Sequence, residues 1–273
     1  MADLIAKPST ALSRITAMNS TLSSVWNTYR RYRAAKAKNK LYRTARYVLL
    51  AAVAAYVFLL CYPQVLFAHQ VTYKNFTVYS REPLDHSVYA MLDKVEARLS
   101  TSEINNSAVK PKIFLTNSHQ LYAALSLYVG SNSFGKGMPM LGNNNVFINR
   151  ADVQNDLVFR KAAEYDSRSL SSVVSHEITH LLVRQKFGYV KNLTMPAWKK
   201  EGYAEYVSGG STVDYATGVR RWKANPGNDT GYQYFKYYML VKYLLETEKL
   251  SVDDLFNRDF DRSELEAKVL AGL

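Results

Sequence analysis

Apolar positions along this 273-residue chain recur in three different rhythms. From Tyr47 to Ala68 the chain runs 22 residues without a charge. As a helix that run is about 33 Å long, enough to cross a bilayer core, so it predicts a membrane anchor over 47–68. The competing reading is a buried soluble helix, and Pro63 with Gln64 can end the run early. Before it, residues 1–29 are rich in Ser and Thr, with Leu4, Ile5, Leu12, Ile15, Met18, Leu22, Val25 and Trp26 spaced by threes and fours. That spacing fits a weak amphipathic helix on a membrane surface, or a disordered arm.

After the anchor the rhythm shortens to two. Alternation of β-branched and aromatic residues predicts a strand at about 71–79, and short apolar runs predict strands at Lys112–Thr116 and Asn145–Asn149. Helical spacing follows Asp85 (Val88, Met91, Leu92, Val95 and Leu99) and covers Ser118–Leu127. Between 130 and 145 the chain is dense in turn formers; Gly135-Lys136-Gly137 lacks the spacing of a phosphate loop. The period then stays helical. One helix opens at Asp166 or Ser169, runs to about Lys186 and stops at Gly188. A second begins after Pro196 and ends at Gly209-Gly210, and a polar loop covers 211–230. A third spans Gly231–Leu245 with Phe235, Tyr238, Met239, Val241, Leu244 and Leu245 on one face. Short helical stretches at 252–256 and 262–270 close the chain. The expected class is α+β: an N-terminal arm (1–46), an anchor (47–68) and one domain (69–273) with a small sheet and a mainly helical C-terminal half.

Charge sharpens this division. The formal net charge is +12, but residues 1–46 hold ten Lys/Arg and one acid, a net +9, against 25 and 22 in the remainder, a net +3. Basicity therefore belongs to the arm, and nucleic-acid binding by the main domain is not expected. The basic block at 30–46 predicts a cytoplasmic N-terminus with residues 69–273 on the far side, periplasmic or extracellular. An Arg- and Ser-rich, acid-poor start also fits a transit peptide, which would put the same anchor in an organelle membrane. The single Cys61 excludes an internal disulfide framework and a Cys-based zinc site. Sequons begin at Asn75, Asn105, Asn192 and Asn228, and matter only in a secretory pathway.

The chemistry concentrates in Ser175-His176-Glu177-Ile178-Thr179-His180-Leu181-Leu182. Four residues make about one helical turn, so His176 and His180 project from one face and can share a metal ion, with Glu177 beside them to act on a metal-bound water. A catalytic zinc usually takes three protein ligands, and Glu201 follows His180 by twenty-one residues, room for a loop and a returning helix. It lies in Trp198-Lys199-Lys200-Glu201-Gly202-Tyr203-Ala204-Glu205-Tyr206. Lys186 stands where a metzincin would need its third His.

Over residues 170–207 the chain resembles the gluzincin metallopeptidases of the thermolysin-like and peptidase MA-like kind, which pair His-Glu-x-x-His with Trp-x-x-Glu-Gly-x-Ala-Glu/Ser-Tyr. The resemblance implies a zincin-like domain holding one Zn²⁺ through His176, His180 and Glu201, with Glu177 as general base. It implies that Glu205 orients the first ligating His, and that a Tyr from a later helix, Tyr234 or Tyr232, bonds the oxyanion. It also implies that an edge strand, Val146–Asn149 or the loop before it, pairs with extended substrate. The expected protein is a membrane-anchored zinc peptidase acting on peptides or proteins. The alternative is a catalytically silent member that binds peptides or scaffolds a membrane complex. His69, His86 and His119 lack ligand spacing.

Overall fold

The computed structural model describes residues 9–127, 132–138, 143–160, 167–224 and 232–273, and within them the side chains other than those of 9–21 and 37–38. The chain divides into two compact units, Met1–Leu59 and Leu60–Leu273.

The first unit is helical. α1 spans Ser9–Lys38 and α2 spans Lys40–Cys61. Asn39 interrupts them, its side-chain oxygen accepting from the Leu41 N–H at 3.0 Å. α2 is long and apolar enough to cross a membrane, with a mean hydropathy of 1.9 and only 6% of its most apolar window buried. Its limits differ from the expected 47–68. Pro63 has no N–H for the helix and opens a 3₁₀ turn, Pro63–Leu66, while Phe67 leaves the run to pack on Phe114 with ring centroids 5.1 Å apart. For residues 9–38, a helix replaces the disordered alternative.

The second unit is mixed α+β. The predicted strand at 71–79 is two strands, β1 (His69–Tyr73) and β2 (Phe76–Ser80), paired antiparallel about Lys74, whose φ is 54°. Lys-Asn is a weak hairpin signal, which is why alternation alone reads straight through it. Asp85 accepts from the Ser87 N–H at 2.9 Å and opens α3 (Ser87–Leu99), which buries Val88, Met91, Leu92, Val95 and Leu99. β3 (Lys112–Leu115) leads to α4 (His119–Leu125), then β4 (Gly135–Gly137) and β5 (Asn145–Ile148). The sheet order is β1-β2-β3-β5-β4; β2, β3 and β5 run parallel and both outer pairs are antiparallel. Val78, Ile113, Leu115, Val146 and Ile148 join the main core, while Tyr79, Phe114 and Phe147 stack on one another through the opposite face.

Three short strands follow as an antiparallel meander, β6 (Arg150–Asp152), β7 (Leu157–Phe159) and β8 (Ser167–Ser169). Periodicity did not reveal them because each is three residues long. Ser169 caps α5 (Leu170–Phe187), accepting from the Ser172 N–H at 3.3 Å, and Gly188 ends it with φ 83°. Asp166, the other candidate cap, lies outside the described residues. α6 (Tyr189–Thr194) and α7 (Ala197–Val207) come next. Within the expected polar loop, Tyr215–Ala224 form α8, which buries Trp222. α9 (Gln233–Lys242) continues into a π turn, Tyr243–Thr247. α10 (Val252–Asn257) and α11 (Arg262–Ala271) finish the unit. α5 is the hub: it packs on α3, α6, α7 and the strands β4, β5, β7 and β8.

Candidate metal centre

α5 is buried along most of its length, so its polar residues face other elements rather than water. His176 and His180 lie one turn apart with Nε2 atoms 3.2 Å from each other. α7 packs on α5 and brings Glu201 to both rings, its Oε2 3.3 Å from His176 Nε2 and 3.5 Å from His180 Nε2. Gly202 makes that approach possible for the neighbouring helix too: a Cβ there would fall 2.4 Å from the Tyr237 carbonyl oxygen of α9. Donors about 2.0–2.1 Å from a tetrahedral zinc sit about 3.3–3.4 Å apart, so the three observed separations match one face of such a tetrahedron. The three residues form the one His/Cys/Asp/Glu group among the described residues with metal-holding geometry.

Behind His176 stands Glu205, almost wholly buried, with Oε1 3.2 Å from His176 Nδ1. The contact pairs charges but lies off the line of a formed hydrogen bond. Arg168, the middle residue of β8, grips Glu205 from the far side: Nη1 to Oε1 at 2.9 Å and Nη2 to Oε2 at 2.7 Å. Arg168 Nη2 also reaches Ser172 Oγ and Ser208 Oγ, each at 3.3 Å, and the Gly210 carbonyl at 3.1 Å. Planar two-pronged pairing of this kind fixes orientation as well as charge.

The field at the centre is strongly negative. Burial alone would lower the His176 pKa, but Glu205, Glu201 and Glu177 outweigh it and hold the imidazole up at about 10. Burial works equally against the carboxylates, yet His180 and His176 keep Glu201 below the usual carboxylate range. His176 and Arg168 do the same for Glu205. Groups arranged this way favour a positive charge among them, supplied by a proton or by a metal cation.

Opposite the helices runs β4. The Gly137 N–H donates to Glu177 Oε2 at 2.6 Å. β4 lies close against α5 at Gly135, where a Cβ would stand 2.8 Å from Val173 Cγ1 and force a shift. Buried Tyr122 bonds Ser133 Oγ, which donates to the Gly135 carbonyl at 3.0 Å, tying β4 to α4. Burial raises the Tyr122 pKa, with the Glu177 charge adding to it. Of the two segments expected at an edge, the loop before Val146 supplies it, as β4; β5 lies inside the sheet between β3 and β4, and β1 forms the other edge.

Tyr234 is 47% exposed, its ring centroid 6.4 Å from that of Tyr237, and its pKa is pushed up to about 12 by desolvation and then by Glu201, Glu177 and Glu205. Tyr232 is buried, with Arg221 4.6 Å from its ring centroid. His69 and His86 are exposed, and His119 is half-buried away from this group. Arg168, Gly137 and Tyr122 are the functional candidates that sequence reasoning missed. An Arg two positions before a helix carries no signal until its carboxylate partner is placed by the fold. No protein-family model matches the chain, and no curated protein matches it.

Proposed function

We propose that this chain is a membrane-anchored zinc peptidase with a zincin-like domain of gluzincin type, hydrolysing peptide bonds with Glu177 as general base. The observation that carries the reading is the triangle of His176, His180 and Glu201 donor atoms at 3.2–3.5 Å, with Glu177 on the same helix. Two imidazoles and one carboxylate suit zinc better than magnesium or calcium, and three ligands leave a position open for chemistry.

Zinc held there supplies a Lewis-acid charge that acidifies water and polarises a carbonyl. Glu177 accepts the proton of the attacking water and delivers it to the leaving amine. The Gly137 N–H holds the Glu177 carboxylate against the edge strand and fixes its orientation. Tyr234 donates its phenolic hydrogen to the carbonyl oxygen as charge develops there. Glu205, locked by Arg168, sets the ring angle of His176. Extended peptide adds to the outer side of β4 as a further strand.

The anchor is α2, with the basic arm in the cytoplasm and residues 62–273 across the membrane. If that route is secretory, Asn105 is the exposed sequon. Asn192 is buried, the Asn75 amide already donates to the Val109 carbonyl at 3.0 Å, and Asn228 lies outside the described residues. The activity test is a peptide library incubated with zinc-loaded protein beside Glu177→Gln. Cleavage by the wild type alone supports the reading, whereas equal cleavage by both, or by neither when zinc is bound, removes it.

A further inference from the structure

α1 carries a feature that peptidase chemistry does not use. Leu22, Val25, Trp26, Tyr29 and Tyr32 are all at least 47% exposed, with Leu22 at 60% and Trp26 at 55%. At about 100° per residue these five positions fall on one arc of about 120°, while Ser23, Ser24, Asn27 and Arg31 occupy the opposite side. A continuous stripe of this kind on an isolated helix marks a surface that something covers.

Basic side chains border the stripe and lie along it. The Arg30 guanidinium sits 5.7 Å from the Trp26 ring centroid and that of Arg33 5.8 Å from Tyr29. Lys36 Nζ stands 4.4 Å from the Tyr32 ring and 5.3 Å from Tyr42. Trp26 and Tyr29 stack with centroids 5.8 Å apart. From Asp3 to Glu82 the chain has no acid at all. Only Asn39 separates α1 from the helix long and apolar enough to cross a bilayer.

We infer that residues 22–36 of α1 form an interfacial helix that lies on the anionic leaflet of the membrane that α2 spans. The inference rests on the membrane reading of α2. Aromatic rings with an apolar body and a polar tip settle at the headgroup boundary, and Arg and Lys stems beside them carry the charged heads out to lipid phosphates and carboxylates. A second copy of α1 fits the stripe less well, because Arg30, Arg33 and Lys36 would meet their own kind across the pair. Anionic lipid answers both the apolar arc and the unbroken positive charge.

The test uses the full chain in nanodiscs with bromine-labelled acyl chains, either phosphatidylcholine alone or with about 30% phosphatidylserine. Trp26 emission is isolated by subtracting the Trp26→Phe chain, and the quadruple variant Arg30→Gln, Arg31→Gln, Arg33→Gln, Lys36→Gln removes the charge. The expected result is Trp26 quenching about threefold stronger in the anionic discs than in the neutral ones, with the difference lost in the quadruple variant. Equal quenching in both lipids overturns the inference, as does Trp26 shielded from both while α1 cross-links to another copy. Association of the chain with discs after alkaline extraction reports α2 separately. A chain that stays with the discs while Trp26 ignores lipid charge loses the inference alone; a chain stripped from the discs loses the membrane reading and the inference together.

Discussion

Arg168 meets the helical wall of the site with five polar contacts, whereas the strand wall meets it with one backbone N–H and two glycines. On the α5–α7 side a chain of charged groups stands behind one donor: Glu205 behind His176, and Arg168 behind Glu205. On the β4 side a short glycine-bordered strand runs at the sheet edge, its Gly137 N–H donating to Glu177 and its Gly135 carbonyl accepting from Ser133. A centre that holds a cation needs fixed distances, because ligand error of a few tenths of an ångström costs affinity. A surface that receives peptides of varied sequence needs main-chain groups and open space instead. Damage to the ligands and their braces on the first wall should therefore reduce metal binding and stability together, whereas damage to Glu177 or to the second wall should reduce turnover alone.

The sharpest test of that division is Glu177→Gln, which removes the base and keeps the shape. Peptide hydrolysis should fall by about 10²–10⁴-fold while zinc content stays at wild-type level. Loss of zinc in this variant would blur the two walls into one. Arg168→Met comes next. It leaves Glu205 buried and without its guanidinium, at a cost of about 3–5 kcal/mol in unfolding by denaturant. Zinc affinity should weaken by about 10–100-fold in a competitive chelator titration. Arg168→Lys restores the charge but not the fork, so it should recover only part of either quantity. Unchanged zinc affinity in Arg168→Met would show that the brace is structural only.

Tyr234→Phe probes the open wall. Its kcat should drop by about 10²-fold with KM and zinc content close to wild type, because the hydroxyl matters only when charge develops on the substrate. A proportional rise in KM instead would assign the ring to ground-state binding. Gly137→Ala is the mildest change. The added Cβ would sit 3.1 Å from the Glu177 carbonyl oxygen, so β4 must shift by a few tenths of an ångström. We expect a loss of about tenfold or less in kcat/KM with unchanged metal binding.

The same contrast explains what could be read from residues alone. His176, His180 and Glu201 announce themselves by spacing, since one helical turn and one helix-loop-helix return are geometric facts about the chain. α3, α5, α7 and α11 fall close to their expected limits because capping residues and glycines punctuate them: Asp85 before α3, Ser169 and Gly188 around α5, Gly209-Gly210 after α7. β4 was hidden because three residues of Gly-Lys-Gly have no hydrophobic pattern, only a partner in β5. Arg168 was hidden for a related reason. Its role exists in the 37-residue gap to Glu205, closed by tertiary packing that no local period reports. α8 escaped detection within a polar stretch because its burial rests on Trp222 and Gly218 alone.

The most direct test of the central claim is the metal content of the full-length protein as purified, beside Glu201→Ala. The account predicts one zinc per chain in the wild type, bound through two imidazoles and a carboxylate, and a near-complete loss in the variant with the fold retained. Well-folded wild-type protein that takes up no zinc when zinc is supplied would contradict it.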